Sequence, residues 1–184
     1  MPIILQTAFW LIIVAGAFNV SSRRSIRLLA VTIALLSIAL PWLGRQFSGR
    51  TITEVDLFLS LVVLSIFALL TIQTFLVSGG AWGHRIAAAV AVYLLIGLIW
   101  ARLYEVVELL APGAFHIPAG ESLSSAGFVY FSFVTLATLG YGDLTPVNIV
   151  ARNLAVIEAI TGQLYLVILL SKLVSEGVAK SGKE

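Results

Sequence analysis

The distribution of apolar residues constrains this chain more than any other feature. Five long apolar runs cover about Ile3 to Val20, Ile26 to Leu43, Val55 to Val77, Ile86 to Tyr104 and Val147 to Val174. A helix needs about 20 mostly apolar residues to cross a bilayer. The pattern predicts an all-α integral membrane protein with five transmembrane helices, the fourth carrying a polar extension through Glu108. Composition agrees. Sixty per cent of the residues are apolar, 11% are charged and the mean hydropathy is +1.06, whereas a soluble domain carries about 25% charged residues. A sixth apolar stretch, Ala126 to Ala137, would make about 18 Å of helix, too short to cross. It is expected to dip half-way and return as an extended loop. Non-helical backbone at that depth is tolerated only inside protein or beside a water-filled path.

Several classes of function fall away. The chain has no cysteine, so disulfides and thiolate metal sites are excluded. The net charge of +2 and a pI near 9.2 reflect a few basic residues at membrane edges, not a nucleic-acid surface. No Walker, Rossmann or HExxH pattern occurs. His84 and His116 are far apart in loop-like sequence, and no metal site, cofactor or catalytic base is expected from them. Ala15-Gly16-Ala17 would suit a signal-peptide cleavage site. No basic residue precedes the apolar run, however, and Arg23 and Arg24 follow it. An uncleaved first span is expected.

The run Thr135 to Pro146 carries the chemistry. Within it lies Thr138-Leu139-Gly140-Tyr141-Gly142-Asp143. A dehydrated cation needs several oxygens at close range, and backbone carbonyls supply them. Aiming successive carbonyls at one axis requires unusual backbone angles on alternate residues, which Gly140 and Gly142 reach at little steric cost. Thr138 can add its hydroxyl. One chain offers one row of carbonyls, so caging an ion takes about four copies around an axis.

This hexapeptide resembles the potassium-channel filter motif, with Leu139 where Val is commoner. From about Ile86 to Ser175 the order of outer helix, turret, pore helix, filter and inner helix is similar to the pore domain of tetrameric potassium channels. The resemblance implies a homotetramer with a K⁺ path, the ion held at Thr138, Leu139, Gly140 and Tyr141, with Gly142 completing the filter. It marks Gly162 as the position where many such inner helices bend. Close packing against a neighbour's pore helix would explain that glycine equally. Gln163 matches a cavity-facing position, and Leu166, Leu170 and Val174 share its stripe on a helix. Leu170 or Val174 would then form a hydrophobic constriction. Two departures stand out. Val134 occupies a position where some bacterial members carry Glu. Tyr130 and Phe131 occupy positions where many carry Trp. Tyr130 keeps a hydroxyl that could support the filter through Asp143, whereas Phe131 cannot donate to Tyr141. The bonding around the filter is therefore expected to be thinner than in those relatives.

Other parts of the pore half follow from local rules. Ser124 or Ser125 is expected to cap the short helix. Phe128, Phe131, Phe133 and Leu136 should pack. Glu158 lies inside an apolar run, where a carboxylate is a functional hypothesis by default; a structural hydrogen bond to a pore-helix Ser or Thr is the plainer expectation.

Three parts follow: a three-span N-terminal region (1–78), the pore domain (86–175) and a short cytoplasmic tail (176–184). Ser78-Gly79-Gly80 and Gly83 read as a flexible joint. With the filter near the outer face of a cell membrane, five spans put the N-terminus outside and the C-terminus in the cytoplasm. The inner side would then hold Arg23, Arg24, Arg27, Arg85, Lys172, Lys180 and Lys183, and the outer side Arg45, Arg50, Arg102 and Arg152, in the direction of the positive-inside rule. Arg23, Arg24 and Arg27 are topology signals or contacts to anionic lipid. Spans one to three carry no regular array of Arg or Lys, so voltage-sensor gating is not expected. The expected function is passive, potassium-selective conduction, not enzymatic. Its rivals are a weakly selective cation channel and a non-conducting channel-like subunit.

Overall fold

A computed structural model describes residues 50–77, 82–118 and 123–181. The first two expected spans, the Arg23, Arg24 and Arg27 cluster and the chain termini lie outside these residues. Among the described residues the order is helix α1 (Arg50–Val77), helix α2 (Trp82–Leu110), strand β1 (Phe115–His116), helix α3 (Ser125–Leu136), strand β2 (Thr145–Pro146) and helix α4 (Ile149–Ser181).

Helix α1 contains no Gly or Pro. Its polar side chains are satisfied locally. Ser60 donates to the Leu57 carbonyl at 2.9 Å and Thr71 to the Phe67 carbonyl at 2.8 Å, so neither hydroxyl is stranded. Leu64, Phe67 and Ala68 pack against Leu95 of α2. The apolar stretch of α1, Leu57–Ile72, is shorter than a full crossing requires, although the helix itself covers the third expected span. The fourth and fifth spans are met. Ile86–Leu110 and Ile149–Lys172 are long and apolar enough to cross a membrane. Gly83, expected in a joint, is already helical.

Helix α2 stops before Pro112, as a following proline requires. The chain then turns through Gly113, whose φ of 84° lies in the left-handed region. The Glu108 carboxylate accepts from the backbone N–H groups of Gly113 at 2.8 Å and Ala114 at 2.9 Å. The turn thus closes on the last polar turn of its own helix. Beyond it, β1 pairs antiparallel with β2, Phe115 opposite Pro146 and His116 opposite Thr145. This small sheet is an addition to the expected all-α architecture. It ties the turret to the chain leaving the glycine-rich run. Val147 N–H also donates to the Ala114 carbonyl at 2.8 Å.

Helix α3 begins where Ser124 accepts from Gly127 N–H at 3.3 Å. Its Phe128 and Phe131 enter a core with Ala101, Tyr104, Ala114, Phe115, Leu144 and Ala151. Phe115 meets both phenylalanines edge-on, at centroid distances of 5.4 and 5.3 Å. The β1 segment, the short helix, the chain after Asp143 and helices α2 and α4 thereby share one aromatic centre. Helix α4 starts at Asn148, whose side chain accepts from Val150 N–H at 2.7 Å. It runs unbroken through Gly162 and on to Ser181, past the expected end at Val174 and into the expected tail.

Candidate functional site

The end of α3 sets the site. Thr138 N–H donates to the Thr135 carbonyl at 2.9 Å, and Leu139 N–H donates to the Val134 carbonyl at 2.8 Å. These two bonds form a Schellman motif, which needs a left-handed residue at its turning point. That residue is Thr138, with φ 57°. Glycine is usual there. A left-handed conformation costs an ordinary residue about 1–2 kcal/mol, and it is unusual for a β-branched one. Sequence reasoning assigned unusual angles to Gly140 and Gly142 and missed Thr138. The signal was available: a helix ending at Leu136 places Thr138 two residues beyond it.

The sign of φ then alternates. Gly140 (61°) and Gly142 (81°) are left-handed, whereas Leu139 and Tyr141 between them are not. In such alternating backbone, successive N–H groups turn to one side. Each trans peptide holds its carbonyl opposite its N–H. Carbonyls in a backbone of this kind face the other side. A Cβ added to Gly140 or Gly142 would meet nothing within 4 Å. Leu139 and Tyr141 are 58% and 66% exposed in the single chain.

The far end of this run is anchored at Asp143. Tyr130 of α3 donates its hydroxyl to the Asp143 carboxylate at 2.6 Å. The other carboxylate oxygen accepts from Leu144 N–H at 2.9 Å. The Tyr130 bond is the main cause that holds this carboxyl below the usual carboxylate range; slight burial opposes it and the Leu144 N–H assists. The Tyr130 and Tyr141 rings lie nearly parallel, with centroids 6.4 Å apart. Phe131 turns away from the run into the core, edge-on to Tyr104 at 4.9 Å. Val134 is buried beside it in sequence and leaves Asp143 without a carboxyl neighbour on α3.

Helix α4 presents two different faces. Ala151, Glu158 and Gly162 are buried. Gln163, Leu166, Leu170 and Val174 are exposed in the single chain. Glu158 accepts from Tyr104 of α2 and meets Ser132 of α3, each at 2.5 Å. Ser132 also lies 2.6 Å from the Gly97 carbonyl. Tyr165 donates to the Ala89 carbonyl at 2.6 Å, a second tie between α4 and α2. At Gly162 the inner helix passes so close to α3 that a Cβ would collide with the Leu136 carbonyl oxygen. Within the single chain the close neighbour is its own short helix. The expected hydrogen bond between Glu158 and a pore-helix Ser or Thr falls on Ser132, whereas Tyr104, Gly97 and Glu108 were not singled out as site residues from the sequence. Of these, Glu108 left a signal, because the Pro112-Gly113 turn that follows needs an acceptor for its N–H groups.

The model of the ion channel family matches residues 86–178 of the chain. The chain is 41% identical over 64 residues to a two pore potassium channel c from rice, Oryza sativa subsp. japonica. It is 30% identical over 92 residues to the inward rectifier potassium channel Kirbac3.1 from Paramagnetospirillum magnetotacticum. These stretches cover 35% and 48% of this chain but only 14% and 28% of the two relatives. The chain thus spans a minor part of the curated relatives it matches. No solved structure is close enough to this chain to count as a match.

Proposed function

We propose that this chain, which belongs to the ion channel family, works as a homotetramer that carries potassium ions down their gradient across a cell membrane. The observation that carries this reading is the alternation of left-handed backbone at Thr138, Gly140 and Gly142, beginning directly at the cap of α3. It gathers the carbonyls of Thr138, Leu139, Gly140 and Tyr141 into one row, which is the ligand set a dehydrated potassium ion takes. A single row leaves most of the ion's surface bare, so four copies complete the cage. The exposed side chains of Leu139 and Tyr141 and the broad apolar exposure of α4, including Ile157, Ile160, Leu164 and Val167, are surfaces that neighbouring copies would cover.

In this assembly Gln163 faces the water-filled cavity, and Leu166, Leu170 and Val174 line the path below it. Tyr130 and Asp143 support the filter from behind. The N-terminus lies outside and the C-terminus in the cytoplasm. Gating does not come from a charge array in α1, since no charged residue follows Asp56 in that helix. A weakly selective cation channel is the second reading. The orientation of Phe131 favours it, because the ring packs inward and contributes no bond to the filter. Reversal potentials of the purified protein in liposomes, in mixed potassium and sodium, decide between them. A potential that follows the potassium gradient supports the first reading. One that follows neither cation alone supports the second, and absence of flux from folded tetramers refutes both.

A further inference from the structure

The hydrogen-bond cluster around Glu158 contains more contacts than its two hydroxyl groups can supply hydrogens for. Glu158, Tyr104 and Ser132 are fully buried. Three short oxygen–oxygen contacts join them: Tyr104 to Glu158 Oε2 at 2.5 Å, Ser132 Oγ to Glu158 Oε1 at 2.5 Å, and Ser132 Oγ to the Gly97 carbonyl at 2.6 Å. Each contact needs a hydrogen between its oxygens. Tyr104 and Ser132 carry one hydroxyl hydrogen each, and a backbone carbonyl carries none. An ionised carboxylate also carries none, so ionised Glu158 would leave one contact as two bare oxygens pressed together.

We infer that Glu158 is a neutral carboxylic acid in the folded protein, and that in this form it is the positioning residue that holds α3 against α2 and α4. The assignment of hydrogens is then forced. Glu158 Oε1 donates to Ser132 Oγ, Ser132 donates to the Gly97 carbonyl, and Tyr104 donates to Oε2. The surroundings agree. The titratable groups facing Glu158 are Tyr104 and Tyr93 of α2; α3 contributes the hydroxyl of Ser132, and on α4 the next tyrosine, Tyr165, is engaged with Ala89. No basic side chain bonds to Glu158 among the described residues, and an unpaired buried charge would be costly. Glu158 acts on the glycine-rich run through α3, whose last carbonyls hold Thr138 and Leu139. The effect on conduction rests on the channel reading; the position of the proton does not.

Infrared difference spectroscopy on the full-length protein in liposomes tests the proton directly. Subtracting the spectrum of Glu158→Gln from that of the unmodified protein at neutral pH should reveal one protonated carboxyl C=O band and no carboxylate band. A carboxylate band instead would overturn the inference, whether or not the protein conducts. Glu158→Gln places an amide N–H toward Ser132 and a carbonyl toward Tyr104, and so reproduces the neutral acid. It should keep the thermal midpoint and unitary conductance of the unmodified protein. Ser132→Ala should lower both even with Glu158 present. If Glu158→Gln instead falls as far as Ser132→Ala, a charged carboxylate is the group required and the inference fails. Loss of conduction in the unmodified protein, with the carboxyl band present, would refute the channel reading and leave the proton where it is placed here.

Discussion

The Tyr130 hydroxyl and the Asp143 carboxylate meet at 2.6 Å and close a loop that contains the whole left-handed run. One end of that loop is the Schellman cap of α3 and the other is this single bond. The bond lowers the carboxyl's affinity for protons, so its contribution is present above the ordinary carboxylate value of about 3.9 and disappears as pH falls through the lower folded value. Tyr130→Phe should therefore shorten channel openings at neutral pH. It should also move the onset of acid-induced closure upward, toward the ordinary value. Outer-solution pH titrations of single-channel open time check this, and identical midpoints in the two proteins would refute it.

Gly140→Ala and Gly142→Ala should each disable potassium selectivity while tetramers still form. Open space surrounds both positions in the chain, so the penalty comes from the backbone, about 1–2 kcal/mol for a left-handed alanine. Reversal potentials in mixed salts measure the outcome. Selectivity unchanged in both variants would remove the run from the conduction path.

Thr138→Gly separates strain from ligation. Glycine suits the Schellman turning point better, so thermal stability should rise by about 1 kcal/mol. The hydroxyl is lost, and potassium conductance should fall. Thr138→Ser keeps the hydroxyl and should conduct nearly as the unmodified protein does. A glycine variant that is less stable would contradict the cap assignment.

Gly162→Ala distinguishes packing from bending. Alanine is the better helix former by about 1 kcal/mol. Its methyl group would nevertheless strike the Leu136 carbonyl, and overpacking of this kind costs about 1–3 kcal/mol. The protein's thermal midpoint should fall. A variant with an unchanged or higher midpoint but altered open probability would favour a hinge.

The elements of the pore half were legible because their signals are local. The length of the apolar stretch before Thr138, the cap at Ser124 and the two glycines of the run are all read within a few residues of where they act. The reach of Tyr130 toward Asp143 was implied by the resemblance to potassium channels and not by spacing, since Asp143 lies beyond the helix. The rest depended on distance along the chain. Tyr104 lies 54 residues from Glu158 and Gly97 lies 35 from Ser132, and helical periodicity on either helix does not tell which neighbour it meets. The partner that Gly162 meets within its own chain was unreadable for the same reason. A small residue announces a close approach without saying to what. Thr138 was hidden differently, since its type argues against the angle that its place after the helix imposes.

The two backbone bonds that cap α3 also make that helix a ruler. Leu139 is suspended from Val134, so the run that follows inherits its height and rotation from the helix above it. Inserting one residue between Tyr130 and Val134 would turn everything beyond by about 100° and advance it by about 1.5 Å. Tyr130 would then lose Asp143. The span from Tyr130 to Val134 therefore tolerates no change of length, because it sets the one distance on which both ends of the left-handed run depend.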